Sequence, residues 1–96
     1  MAKKHKSEQN IFRDVGFYAE EAGNLKVRAM LMTEVEKYIR TNQLTQKQAA
    51  VRLGVTQPRI SDLIRGKIGL FSVDTLILML THAGLVVFVK VRRTAA

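Results

Sequence analysis

Residues 49–59 read AAVRLGVTQPR, and the order of small, polar and apolar side chains in them decides the fold. Two short helices that cross at a steep angle must let their backbones approach closely. That asks for a small residue on the first helix, here Ala50, and for a glycine where the chain turns, here Gly54, which tolerates positive φ without a Cβ clash. Val55 plugs the corner from below, and the chain restarts with Thr-Gln-Pro-Arg. Counting Gln46 as position one, Ala50 stands fifth, Gly54 ninth, Val55 tenth, Ile60 fifteenth and Leu63 eighteenth. These are the size and polarity demands of a helix-turn-helix unit.

Working outward, Thr45 can accept from a backbone N–H three residues on and Gln48 can answer it. A capping box therefore opens a short helix with Ala49, Ala50 and Leu53 inward. Thr56 opens a third helix that ends at Gly66, with Ile60, Leu63 and Ile64 on the buried side. Pro58 falls in its first turn, where a missing N–H costs nothing. Upstream, Asn24 after Gly23 reads as the N-cap of a first helix with Leu25, Ala29, Met32, Val35 and Ile39 in one stripe, stopping near Thr41-Asn42. Downstream, Ser72 caps a fourth helix, VDTLILMLTHAG, with Asp74 at the positive end of its dipole and Gly84 as its stop.

That fourth helix is apolar nearly all round, from Leu76 through Leu80, so a surface beyond one small core should cover it. LVVFVKV, residues 85–91, is a β-branched run that reads as a strand. A lone strand cannot satisfy its backbone, so it should pair with its copy in a second chain or with the N-terminal arm. Leu78, Met79, Leu85, Val87, Val89 and Val91 are the residues expected at a dimer interface, and a proline at Val87 should disrupt the pairing. At the other end, residues 1–9 read as a polar tail, and 10–23, with Ile11, Phe12, Val15 and Phe17 but no sustained period, as a partly ordered arm. Phe12, Phe17 and Tyr18 serve either as staples onto the body or as anchors for a partner protein. The expected fold is mostly α: an arm over 1–23, a small helical bundle over 24–84, and a C-terminal strand with a basic tail over 85–96.

The totals restrict the function. Ninety-six residues hold one modest core, so oligomerisation is expected. Sixteen basic side chains against eight acidic give a net charge of +8, an argument for a polyanion partner. Residues 45–67 carry five basic and one acidic side chain, half of the surplus. With no cysteine and only His5 and His82, there is no disulfide framework, thiolate chemistry or zinc site. The chain offers no Ser/His/Asp set, no glycine-rich phosphate loop and no close carboxylate pair, so neither an enzyme nor a cofactor is expected. LILML and GLVVFV are too short to cross a bilayer, and the basic start MAKKHKSEQN is not followed by the apolar run of a secretory signal. A cytoplasmic protein is expected. His82 reads as a partner for the negative end of the fourth helix or as a half-buried packing residue, and Met30, Met32 and Met79 as core fillers.

LTQKQAAVRLGVTQPRISDLIRGK resembles the helix-turn-helix of the XRE family of phage-repressor-type regulators, and the flanks NIFRDVGF and GLFSVDTLILMLTHAGLVVFVKV are similar to its HigA-like antitoxin branch. The resemblance spans about Asn10 to Val91. It implies a dimeric DNA-binding protein that represses its own operon and, for the antitoxin branch, a toxin partner that cleaves mRNA. It places base recognition on Gln57, Pro58, Arg59, Ser61 and Asp62, and a phosphate-clamping glutamine on Gln46.

The side chains themselves agree for several of these. With Ile60, Leu63 and Ile64 inward, the third helix presents Gln57, Arg59, Ser61, Asp62 and Arg65 to a major groove. Gln57 can pair with adenine and Arg59 with guanine, while Pro58 cannot donate and can only touch a thymine methyl. Asp62 either accepts from a cytosine N4 or pairs with Arg59 or Arg65. Gln46, Lys47, Thr56, Arg65 and Lys67 sit at the groove edges for phosphates, and Lys3, Lys4, Lys6, Lys90, Arg92 and Arg93 add electrostatic grip. The expected protein is a homodimeric repressor on a near-palindromic operator, either the antitoxin of a toxin–antitoxin pair or a stand-alone repressor.

Overall fold

The computed structural model describes residues 8–93, with side chains from residue 21 onward. Four helices form in the order α1 (Glu8–Thr41), α2 (Gln46–Leu53), α3 (Gln57–Ile64) and α4 (Val73–His82), with one 3₁₀ turn, Ile68–Leu70, between α3 and α4. Each boundary of the three short helices has a local cause. Thr45 Oγ1 accepts from Gln48 N–H at 3.1 Å while Thr45 N–H donates to Gln48 Oε1 at 2.9 Å. Ser72 Oγ accepts from Thr75 N–H at 3.1 Å. Gly54, Gly66 and Gly84 end the helices in the left-handed region at φ of 69°, 74° and 89°.

The core lies where α4 packs on the C-terminal half of α1 and the α2–α3 pair closes over both. Val35 of α1, Leu53 of α2, Ile60 and Leu63 of α3, Phe71, and Leu76 and Met79 of α4 are fully buried in one cluster. Two polar contacts fix α1 against its neighbours. Arg28 donates from Nη1 to the Ile68 carbonyl at 3.3 Å, and Tyr38 Oη accepts from Arg52 Nη1 at 3.2 Å.

Three expectations need correction. Asn24 is not an N-cap: α1 runs unbroken from Glu8 through Gly23 and Asn24, so residues 10–23 are helix and not a partly ordered arm. Glycine lowers helix stability by about 1 kcal/mol relative to alanine but does not terminate a helix flanked by good helix formers, here Ala19-Glu20-Glu21-Ala22 and Leu25-Lys26. Of the expected tail over 1–9, Glu8 and Gln9 belong to α1, and residues 1–7, with the side chains of Phe12, Phe17 and Tyr18, lie outside the described residues.

The burial pattern also shifts. Leu25 is exposed because the body meets α1 only from Arg28 onward, and Ala29 because it lies on a face of α1 turned away from the one where Leu31 joins Met32, Val35 and Ile39 in the core. Ile64, the last residue of α3, is 44% exposed because it lies on the rim of an open groove that it lines with Glu36, Ile39 and Arg40 of α1.

Residues 85–93 form neither helix nor strand, and no strand occurs among the described residues. The expected strand has no ladder to join within its own chain. Leu85 N–H closes α4 on the Leu80 carbonyl at 2.9 Å, Val87 packs on the core, and Phe88 is 90% exposed.

Candidate nucleic-acid interface

The helix-turn-helix geometry follows from the turn. Val55 N–H donates to the Ala50 carbonyl at 3.0 Å, wrapping the chain around the end of α2 so that Val55 packs onto the core. Thr56 is extended (φ −84°, ψ 160°) and its carbonyl accepts from Arg59 N–H at 3.1 Å and Ile60 N–H at 3.2 Å, which starts α3 with Pro58 in its first turn. Ile60 and Leu63 turn inward, and the other side chains of α3 are half-buried or exposed.

Gln57 and Pro58 are exposed at the start of α3, and Gln46 and Lys47 at the start of α2. Neither helix has an acidic residue in its first turn, so both N-terminal dipole ends keep their positive potential. The Thr56 hydroxyl makes no cap hydrogen bond.

The rest of α3 is already engaged within the protein. The Arg59 guanidinium lies 5.1 Å from the centroid of Phe71, a residue 1% exposed, so this side chain leans over the start of α4. Arg65 donates from Nη2 to Ser61 Oγ at 3.3 Å. Asp62 pairs with Lys67, Oδ1 to Nζ at 3.7 Å, and not with Arg59 or Arg65 as expected. The cause is the Gly66 turn, in which Lys67 N–H returns to the Asp62 carbonyl at 3.1 Å and brings its side chain alongside. Asp62 thereby cancels part of the charge of Lys67, one of the expected phosphate-binding residues.

The expected base-reading residues Gln57, Pro58, Arg59, Ser61 and Asp62 share α3, and Gln46, Lys47, Thr56, Arg65 and Lys67 frame it at the ends of α2 and α3. The expected dimer residues do not act as one set. Met79 is 2% exposed inside its own core and unavailable to a partner, and Val87 is half-buried, whereas Leu78, Leu85, Val89 and Val91 are exposed.

Two residues were missed by the sequence reading. Arg52 on α2 is held by Tyr38, and Arg28 crosses from α1 to the 3₁₀ turn with its Nε buried and unpaired. Arg28 sits three residues before Leu31 and seven before Val35. A basic residue in register with the core stripe is the signal that could have found it.

Among the described residues there is no group of three or more histidine, aspartate or glutamate side chains arranged to hold a metal, and no helix long and apolar enough to cross a membrane.

Comparison with known proteins agrees with this geometry. A family model described as a helix-turn-helix domain matches residues 11–92. A solved structure described as an XRE family transcriptional regulator superimposes with a TM-score of 0.71 at 29% identity, over 78% of this chain and 84% of that one. Among curated proteins there is no match. The chain belongs to the helix-turn-helix domain family, whose members are DNA-binding regulators and not enzymes.

Proposed function

We propose that the chain is a sequence-specific repressor of the XRE type that binds a near-palindromic operator as a homodimer. The observation that carries this is the α2–α3 pair. Two dipole ends without acidic first turns flank the exposed Gln57-Pro58 start of an 8-residue helix, which is about 12 Å long and fits a major groove. Gln57 reads adenine, Pro58 meets a thymine methyl, and Arg59, Ser61 and Asp62 read base edges once they leave their partners within the protein. Gln46, Lys47, Thr56, Arg65 and Lys67 hold phosphates.

The second copy covers Leu78, 68% exposed, and the C-terminal segment where Leu85, Val86, Phe88, Val89 and Val91 are exposed together. Phe88→Glu should then give a monomer by sedimentation, and a Phe88→Glu variant that stays dimeric would remove this surface from the reading.

Selection of bound duplexes from a random pool, followed by affinity against salt, tests the function. Inverted half-sites about 34 Å apart are expected. With Lys47, Arg65 and Lys67 from each protomer on phosphates, the logarithmic salt slope should be roughly −5. A pool with no enriched sequence would sink the specific reading.

A second reading, an antitoxin that also neutralises a small mRNA-cleaving partner, is favoured by one observation. Four of the eight acidic residues, Glu8, Asp14, Glu20 and Glu21, lie in the first half of α1. A stand-alone repressor would need no such segment.

A further inference from the structure

Four of the described residues take positive φ: Gly54, Gly66, Gly84 and, at 51°, Gln43. Gln43 makes the turn that closes α1, in which its N–H donates to the Arg40 carbonyl at 3.1 Å and Leu44 N–H to the Ile39 carbonyl at 3.0 Å. Glycine serves such a turn at lower cost, because it has no Cβ to press on the backbone in the left-handed region. A longer side chain kept there against its backbone preference points to a use for that side chain.

Gln43 lines a groove of about 400 Å³ together with Glu36, Ile39, Arg40, Leu44 and Ile64. Ile39, Leu44 and Ile64 give the groove an apolar wall. Arg40 and Gln43 are exposed beside it, and among the described residues the Arg40 guanidinium has no ion-pair partner. Glu36 stands about 6 Å back along α1 from Arg40, one turn further from the start of α2.

The position of the groove selects its occupant. Leu44 stands two residues before Gln46, and Ile64 directly before Arg65. The groove therefore lies between the start of α2 and the end of α3, the two places proposed above to hold phosphates. Residues 36–47 carry three basic side chains against one acidic, a balance that suits a polyanion. A DNA strand brings both chemistries that this lining can use: phosphate oxygens for Arg40 and the Gln43 amide, and the carbon face of deoxyribose for the apolar wall. A second copy of this chain would have to cover the wall with an apolar ridge and leave Arg40 and Gln43 without partners.

Resting on the DNA reading above, we propose that this groove seats the sugar–phosphate backbone of the bound duplex, with Arg40 and Gln43 as phosphate ligands beyond those on α2 and α3. Contact there is blind to sequence and sets the orientation in which α3 enters the major groove.

The test titrates the full chain, by fluorescence anisotropy across a salt series, onto its selected operator and onto random-sequence duplex. Gln43→Gly should raise Tm, because the backbone is relieved, while weakening binding to both duplexes at least threefold and by the same factor. A structural role alone gives the rise in Tm without the loss. Arg40 adds about one unit per protomer to the logarithmic salt slope expected of Lys47, Arg65 and Lys67, and Arg40→Gln should remove it. On operators ethylated at single phosphates, one position per half-site that blocks wild type should become neutral for Arg40→Gln. Wild-type affinity in Gln43→Gly, or an unchanged slope in Arg40→Gln, overturns the inference. Ile64→Glu should keep the fold and oligomeric state of wild type and bind both duplexes at least tenfold more weakly. Its fall to a smaller species overturns the inference in favour of a second copy. A wild type that enriches no sequence sinks the repressor reading instead, and the groove is then judged on random-sequence duplex.

Discussion

Gly54 lies directly under the imidazole of His82: a Cβ at position 54 would stand 2.9 Å from both Cγ and Cδ2 of the ring, on a backbone with φ of 69°. The turn between α2 and α3 is thus closed by the last turn of α4, and His82 has a packing partner that its exposed position conceals. Gly54→Ala should destabilise by two separable routes. The left-handed backbone accounts for about 1–2 kcal/mol, and displacement of the ring adds to it. Urea unfolding of Gly54→Ala, His82→Ala and the double variant separates them. The glycine substitution should cost less in the His82→Ala background, and equal costs in both backgrounds would show that the ring simply swings aside.

Thr45→Ala removes one half of the capping box on α2 and Gln48→Ala the other. The threonine substitution should cost about 1 kcal/mol, read as a fall of roughly 4–8 °C in Tm for a chain of this size. Gln48→Ala should cost less, because Gln48 N–H keeps its acceptor. An unchanged Tm for Thr45→Ala would mean that packing of Ala49, Ala50 and Leu53 alone holds the helix.

Asp62 restrains Lys67 and opposes phosphate approach. Asp62→Asn should therefore raise affinity for random-sequence duplex several-fold at low salt and steepen the logarithmic salt slope by up to about one unit per protomer. Fluorescence anisotropy across a salt series checks this. A drop in affinity would place the Asp62 carboxylate on a base edge.

At Gly23 nothing lies within 4 Å of an added Cβ, and the residue is inside α1 without positive φ. Gly23→Ala should raise helix content and stabilise by up to about 1 kcal/mol, measured by circular dichroism and thermal melting. A loss of partner or operator binding at unchanged stability would show that the bend glycine permits is used.

Legibility in the sequence followed the range of the interactions. The capping box of Thr45 and Gln48, the cap at Ser72, the turn at Gly54 and the inward set Ala50, Leu53, Ile60 and Leu63 are all decided within a few residues, and each is where the sequence placed it. The start of α1 was not legible, because Gly23-Asn24 carries a cap signature that a helix can also run through. The state of the reading face was legible in composition but not in partners. Arg59 turns to Phe71, which lies twelve residues on and is brought close only by the fold, and Asp62 finds Lys67 because Gly66 folds the chain back. The C-terminal segment has strand composition, but a strand needs a second strand and the chain has none among its described residues.

The stack of Arg59 on Phe71 sets a threshold for the proposed base reading. In the free protein this half-buried guanidinium rests on the face of a buried ring, a contact worth about 1–2 kcal/mol, between the exposed and the desolvated case. A guanine edge must outbid that face before Arg59 leaves it, and a wrong base lets it fall back. Phe71, buried and remote from any base, thereby becomes the reference against which each sequence is compared, and its substitution would alter which operators are told apart without touching one of them.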